Sequence, residues 1–292
     1  MRLLAPILAV LASPALAAPN VLTDIAPIHG LVSEVMGELG APTLLLPPNS
    51  DGHHYTMRPS DAQAISDAEV IIRVGDALTP WLSEPLATLA AGATVLSLLE
   101  TSGWTPREIE DDGHGDDHDH GEIDPHAWLD PEIAAIWLGA IADQLAVADP
   151  ENAEGYQNNA KAAAAEMVIL SKQISRDLAP VAAVPLIWPH DAYGYFAERF
   201  GLTSVGAIAE SDASDPGPAH IAELRELATK GAAGCVMIDP EINESWAQIL
   251  TEGTDIQTAA IDPIGAGIPL GRGFYQSLLQ QMSGAIASCT AQ

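Results

Sequence analysis

Three histidines stand where chemistry could be done: His53 in "SDGHHYTMRPSD", His126 in "DPHAWLDP" and His190 in "LIWPHDAYGYF". Each sits just past a strand-like run or in a loop rich in Asp and Pro. Neutral imidazole together with carboxylate is the usual donor set for a divalent transition ion where thiolates are lacking. A fourth donor is offered by Asp262 in "AAIDPIG", which also follows a strand-like run. Singly, each has a plain alternative: His53 or His54 as a solvated turn residue, His190 as a helix cap, Asp262 before Pro263 as a turn. What raises them above that is their shared position, because ligands of open parallel sheets bind beyond the carboxyl ends of the strands.

A second histidine group has a different character. The stretch at residues 108–122 is almost wholly Asp, Glu, Gly and His, carrying His114, His118 and His120 among Asp111, Asp112, Asp116, Asp117, Asp119 and Glu122. With only Ile109 to bury, it cannot offset its ordering entropy and reads as a mobile surface loop. The remaining histidines have structural readings: His29 packs or caps on the first helical pattern, His220 opens a helix, and His54 is an exposed neighbour. Asp124–Pro125 reads as a turn that positions His126; Asp191 is one of the carboxylates available to orient an imidazole, a role that sequence alone does not assign.

The elements that must hold these groups follow from the pattern of apolar runs. Val21–Thr23, residues 43–46, 70–74 and 94–98 read as strands, alternating with helical patterns such as 28–39 and 59–68. A second set follows at residues 186–188, 204–208, 235–238 and 257–261. Such alternation predicts an α/β chain of two lobes, each with a roughly four-stranded parallel sheet flanked by helices. Between them, residues 149–180 read as one long helix, with Asp149 as cap, Pro150 in the first turn and Pro180 as stop. The expected organisation is a leader at 1–17, a first lobe at 18–148, the linker helix at 149–180 and a second lobe at 181–292.

The leader rests on Arg2, the apolar run Leu3–Leu11 and the A-x-A of Ala15 and Ala17, predicting cleavage near Ala17–Ala18 and export to the periplasm. The run is too short to span a bilayer, so no membrane insertion is expected. A formal charge of −29, from 40 acidic against 11 basic residues, disfavours nucleic acid as a partner and concentrates cations near the surface. Cys235 and Cys289 are the two cysteines. In an oxidising compartment a pair with none left over predicts one disulfide, two buried thiols being the alternative.

Taken in order around the long helix, "HHYTMRPSD", "DPHAWLDP", "HDAYGYFAERFGL" and "IDPIG" resemble the ZnuA-type zinc-binding proteins of bacterial ABC importers, over essentially the whole mature chain. The resemblance implies two lobes on a rigid helix and delivery of Zn²⁺ to the membrane subunit of an ABC permease, by a protein that is a monomer and no enzyme. It places metal ligands on His53, His126 and His190, with Asp262 favoured over a water as the fourth. It also implies a Cys235–Cys289 disulfide and a short acidic, histidine-rich loop that captures zinc and meets a periplasmic zinc chaperone. A third imidazole at His190, where manganese-binding relatives offer a carboxylate, shifts the preference toward zinc. Two other readings use the same donors: a zinc-dependent hydrolase with an open metal position, and a manganese-type or adhesive surface protein. No H-E-x-x-H, G-x-S-x-G or phosphate-loop motif is present.

Overall fold

Alternate residues of the apolar runs face opposite ways, and both faces are covered. In the computed structural model, which describes residues 18–48, 50–108, 123–209, 216–239 and 243–290, the first half runs β1 (Val21–Thr23), α1 (Ala26–Met36), β2 (Thr43–Leu44), α2 (Pro59–Asp67), β3 (Val70–Arg73), α3 (Ser83–Leu89), β4 (Thr94–Ser97), α4 (Pro131–Ala148). After α5 (Ala153–Leu178) come β5 (Leu186–His190), α6 (Gly194–Phe200), β6 (Ser204–Ala209), α7 (Pro218–Thr229), β7 (Cys235–Ile238), α8 (Glu244–Thr251), β8 (Gln257–Ala260) and α9 (Phe274–Thr290). The sheets have the orders β2-β1-β3-β4 and β6-β5-β7-β8, with every neighbouring pair parallel. The expected α/β architecture of two four-stranded parallel sheets joined by a long helix is therefore present. The expected leader at 1–17, and the loop residues His114, His118, His120, Asp116, Asp117 and Asp119, lie outside the described residues.

On the first sheet Val70 and Ile72 face the molecular centre while Leu22 and Ile71 pack outward against Ile65 of α2 and Leu86 of α3. On the second, Leu186, Trp188 and Met237 face inward while Ile187 and Val236 meet Ile221 of α7 and Leu250 of α8. That is the period-two signature of strands buried on both sides. The inward cluster is continuous, running from Val21 and Leu138 to Leu279 and Ile286, so the two sheets share one apolar core.

α5 is the spine of that core. Tyr156, Ala160, Ala163, Met167, Leu170, Ile174 and Leu178 are buried at helical spacing, and the helix packs on α4, α1 and α9. Its 26 residues extend over roughly 39 Å at about 1.5 Å per residue. It starts later than the sequence suggested. Asp149 ends α4 and a 3₁₀ turn occupies Pro150–Asn152 before the α-helix begins. The Asp149 carboxylate then accepts from Asn152 Nδ2 at 2.7 Å and Tyr156 OH at 2.8 Å, so it organises the corner between two helices.

The chain also crosses between halves at its end. α9 lays Phe274 against Gly30 of α1, where a Cβ would stand 3.0 Å from the ring. Just ahead of it, Gly273 N donates to Glu34 of α1 at 2.7 Å, and Tyr275 OH donates to the Trp128 carbonyl at 2.5 Å. At its far end the Cys235–Cys289 disulfide ties α9 to β7 across 54 residues. Replacing both cysteines by serine should therefore lower unfolding stability by about 2–5 kcal/mol, from the loop-closure entropy returned to the unfolded chain. Denaturant unfolding of the two proteins under non-reducing conditions measures it, and equal midpoints would show that α9 is held by packing alone.

Candidate metal centre

His190 is the last residue of β5, in register with Ala209 of β6. The strand carries on two residues past the expected 186–188, and this aims the side chain past the carboxyl edge of the second sheet. The ring is buried, and its Nδ1 stands 2.8 Å from Asp239 Oδ2. Asp239 directly follows β7, the neighbouring strand, and also accepts from Tyr193 OH at 3.0 Å.

His126 is built by its own turn. Asp124 Oδ1 accepts the His126 backbone N–H at 2.9 Å and faces its Nδ1 at 2.8 Å. The Asp-Pro step is thus a turn, as expected, and in addition the carboxylate orients the ring. With Nδ1–H donated to a carboxylate, an imidazole presents the Nε2 lone pair to a ligand. Asp124 is itself fully buried, and Arg107 pairs with its other oxygen at 2.9 Å.

His53 lies in the connection from β2 to α2. Asp51 Oδ1 accepts the His53 N–H at 2.7 Å, and the Gly52 carbonyl accepts Trp81 Nε1 at 2.8 Å. Downstream, Asp61 in the first turn of α2 accepts Arg58 N at 2.7 Å and Tyr55 OH at 2.9 Å. These bonds account for the spacing of "HHYTMRPSD": histidine, tyrosine and aspartate are parts of one turn closed on a helix start. His54 points away, its ring exposed and its Nδ1 3.1 Å from Asp51.

The rings of His53 and His126 have centroids 5.9 Å apart, and those of His126 and His190 are 6.0 Å apart. Two imidazoles sharing a zinc at about 2.0–2.1 Å per Zn–N bond place their centroids roughly 5 Å apart. Among the described residues, no group of three or more His, Cys, Asp or Glu is already drawn up to hold an ion. His126 thus has His53 on one side and His190 on the other, each roughly 1 Å farther off than rings sharing a zinc.

Asp262 sits on the turn after β8. Its Oδ1 accepts Ile264 N at 2.9 Å and Gly265 N at 2.8 Å, and Oδ2 accepts Ala266 N at 2.8 Å. It lines a cavity of about 430 Å³ together with Asp239, and the carbonyl of Pro263 beside it accepts Trp128 Nε1 at 3.0 Å. Trp128 in turn packs its ring 5.1 Å from that of His126. The backbone bonds use both lone pairs of Asp262 Oδ1 and one of Oδ2, so Oδ2 alone keeps one to offer. Asp191 stands 3.9 Å from Arg107 Nη1 and within electrostatic reach of His126 and His190. Burial raises its pKa, with Arg107 pulling the other way. Tyr195, whose hydroxyl accepts Arg107 N at 2.7 Å and donates to the Asp124 carbonyl at 3.3 Å, is pushed up to about 12, burial being the main cause.

His29 and His220 are structural, as expected. His29 is buried with its Nε2 3.2 Å from the Pro42 carbonyl, and burial lowers its pKa. His220 bonds the Ala207 carbonyl at 2.8 Å. Sequence reasoning missed Asp239, Tyr193 and Arg107. Asp239 follows β7 just as His190 ends β5, and that parallel was the available signal.

A family model for component A of the zinc-uptake complex, periplasmic, matches residues 21–289. A high-affinity zinc uptake system protein ZnuA of Paracoccus denitrificans is 38% identical, over 93% of this chain and 91% of that protein. The corresponding protein of Brucella suis is 32% identical, over 94% and 92%. Among solved structures, a ZnuA crystal structure superposes with a TM-score of 0.82 at 24% identity, covering 94% of this chain and 99% of the other. The Streptococcus pneumoniae AdcAII protein does so with 0.79 at 26%, covering 94% and 100%.

If Asp124 and Asp239 orient the rings, Asp124→Ala and Asp239→Ala each weaken divalent-metal binding by about 10- to 100-fold. Calorimetric titration reads the loss, and affinities equal to the parent protein's would remove these carboxylates from the site.

Proposed function

The chain belongs to the ZnuA family of periplasmic zinc-uptake components, and we propose that one Zn²⁺ is held between its two halves by His53, His126 and His190, with Asp262 as the fourth donor. The protein is the zinc-binding component of a zinc ABC uptake system. The observation that carries the ligand set is the convergence of imidazoles from three separate segments, two of them backed by buried carboxylates on Nδ1. Three imidazoles and one carboxylate make a softer set than the oxygen-rich sites that suit manganese, which favours zinc.

Zinc is cargo here, so the site must release as well as bind. Capture draws the rings together by about 1 Å against a frame that stays put, because a continuous core and the α9 crossover resist a wide hinge. The ion then passes to the membrane subunit of an ABC permease, the chain acting as a monomer in the periplasm after loss of residues 1–17. The acidic, histidine-rich stretch at 108–122 serves as a weak collecting site that feeds the cleft and offers a contact for a zinc chaperone. Its composition and the charge of −29 support that role.

His53→Ala is expected to lower zinc affinity by more than about 100-fold, beyond the loss for an outer partner. In the parent protein, affinity falls by at least about 100-fold between pH 7.5 and pH 5, because protons compete with the ion for each imidazole nitrogen. Competition titrations with a chelating dye at both pH values, beside metal quantification of His53→Ala, test the ligand set; equal affinities would sink it. Deleting residues 112–121 should slow loading at sub-micromolar zinc while leaving one ion in the cleft. Loading at the parent rate would strip the loop of its role.

A further inference from the structure

Arg107 precedes the neck where Glu108 and Ile123 pair as an antiparallel bridge, and its guanidinium crosses to the second half of the molecule. Nη1 pairs with Asp124 Oδ2 at 2.9 Å, the carboxylate whose Oδ1 faces His126 Nδ1 at 2.8 Å. Nε pairs with Glu198 of α6 at 3.0 Å, and Asp191 stands 3.9 Å from Nη1. The backbone joins in, since Arg107 N donates to Tyr195 OH, also on α6. Burial works against the charge of this side chain, and Asp124, Asp191 and the bond to Glu198 together outweigh it.

The first residue of α6 makes room for this crossing. A Cβ on Gly194 would lie 2.3 Å from Arg107 Cζ and 2.5 Å from both Nε and Nη1. The backbone of Gly194 is not in the left-handed region, and alanine is the better helix former. The three heavy atoms nearest such a Cβ all belong to this guanidinium. The glycine of "HDAYGYF" is thus explained by an arginine 87 positions upstream in the chain.

We propose that Arg107 is a positioning residue that latches the His126 turn to α6, so that the Arg107–Gly194 contact sets how fast the cleft releases its zinc. This rests on the ligand set proposed above. A buried carboxylate needs a paired charge to stay in place, and Arg107 supplies it from a seat fixed by the opposite half. If the guanidinium is displaced, Asp124 loses its second partner, and the His126 ring is no longer held at its distance from His190.

The test follows zinc release into excess chelator by stopped flow, in the full chain and in Arg107→Ala, Arg107→Lys, Gly194→Ala and the Arg107→Ala/Gly194→Ala double variant. Absorption of the Co²⁺-loaded forms is recorded beside it. Release should be at least about tenfold faster in Arg107→Ala and in Gly194→Ala, in line with loss of an outer partner. The double variant should match Arg107→Ala alone, because alanine fits once the guanidinium is gone. The Co²⁺ bands should shift in both single variants, and Arg107→Lys should not restore parent kinetics, since an ammonium lacks the rigid planar fork that presents Nε to Glu198 and Nη1 to Asp124. The latch is overturned if Gly194→Ala adds its full effect on top of Arg107→Ala. It is also overturned if Lys restores parent release, or if the variants merely melt earlier with release and Co²⁺ spectrum unchanged. Gly194→Ala keeps every charge, so it carries the test should Arg107→Ala fail to fold. A parent protein that binds no zinc would bring down the cleft assignment and the latch together, whereas normal binding with parent-like release in both single variants removes the latch alone.

Discussion

An imidazole has two nitrogens, and a carboxylate set against one of them decides which the ring can offer to an ion. Asp124 behind His126 and Asp239 behind His190 make that choice twice, at 2.8 Å in both cases. Both carboxylates are buried, and a buried carboxylate is tolerated only with its oxygens satisfied. The surroundings of the site follow from that requirement. Arg107 answers the second oxygen of Asp124, Tyr193 adds a hydroxyl to Asp239, and Tyr195 seals the backbone between Arg107 and Asp124.

The frame around the cleft is correspondingly stiff. Arg199 on α6 grips both oxygens of Asp130 at 2.7 to 2.9 Å, and Asp130 is the N-cap of α4, just beyond the His126 turn. Trp128 reaches the Asp262 turn, Tyr275 reaches Trp128, and Phe274 fills the space that Gly30 leaves open. One core is shared by both sheets, which resists a wide opening of the two halves. The proposed capture accordingly asks for side-chain adjustments of about 1 Å and no swing of the lobes.

The short motifs prove to be folding instructions as much as chemistry. In "HHYTMRPSD" His53 stands beside His126, while Tyr55, Arg58 and Asp61 close the loop onto α2. In "HDAYGYF" His190 points inward, while Tyr193 steadies Asp239, Gly194 admits Arg107 and Tyr195 bridges Arg107 to Asp124. A motif of this kind is specific because several residues answer to partners elsewhere in the chain.

Strand identity and the helical spacing of α5 were readable from the chain, because both depend on side chains within a few residues of one another. The same holds for the turn at Asp124, whose carboxylate bonds a backbone N–H two residues on. The corner at Asp149 was misread as a helix start because a capping residue looks alike whether it begins one helix or joins two. Whether Asp239 or Asp191 would orient His190 could not be read, since the answer turns on β7 lying beside β5 in the sheet. Nor could the need for Gly194, which arises only when folding lays an arginine from the other half across it. Local sequence sets what each segment is; the order of strands and the crossing of the chain between halves decide which segments meet, and a metal site is made of such meetings.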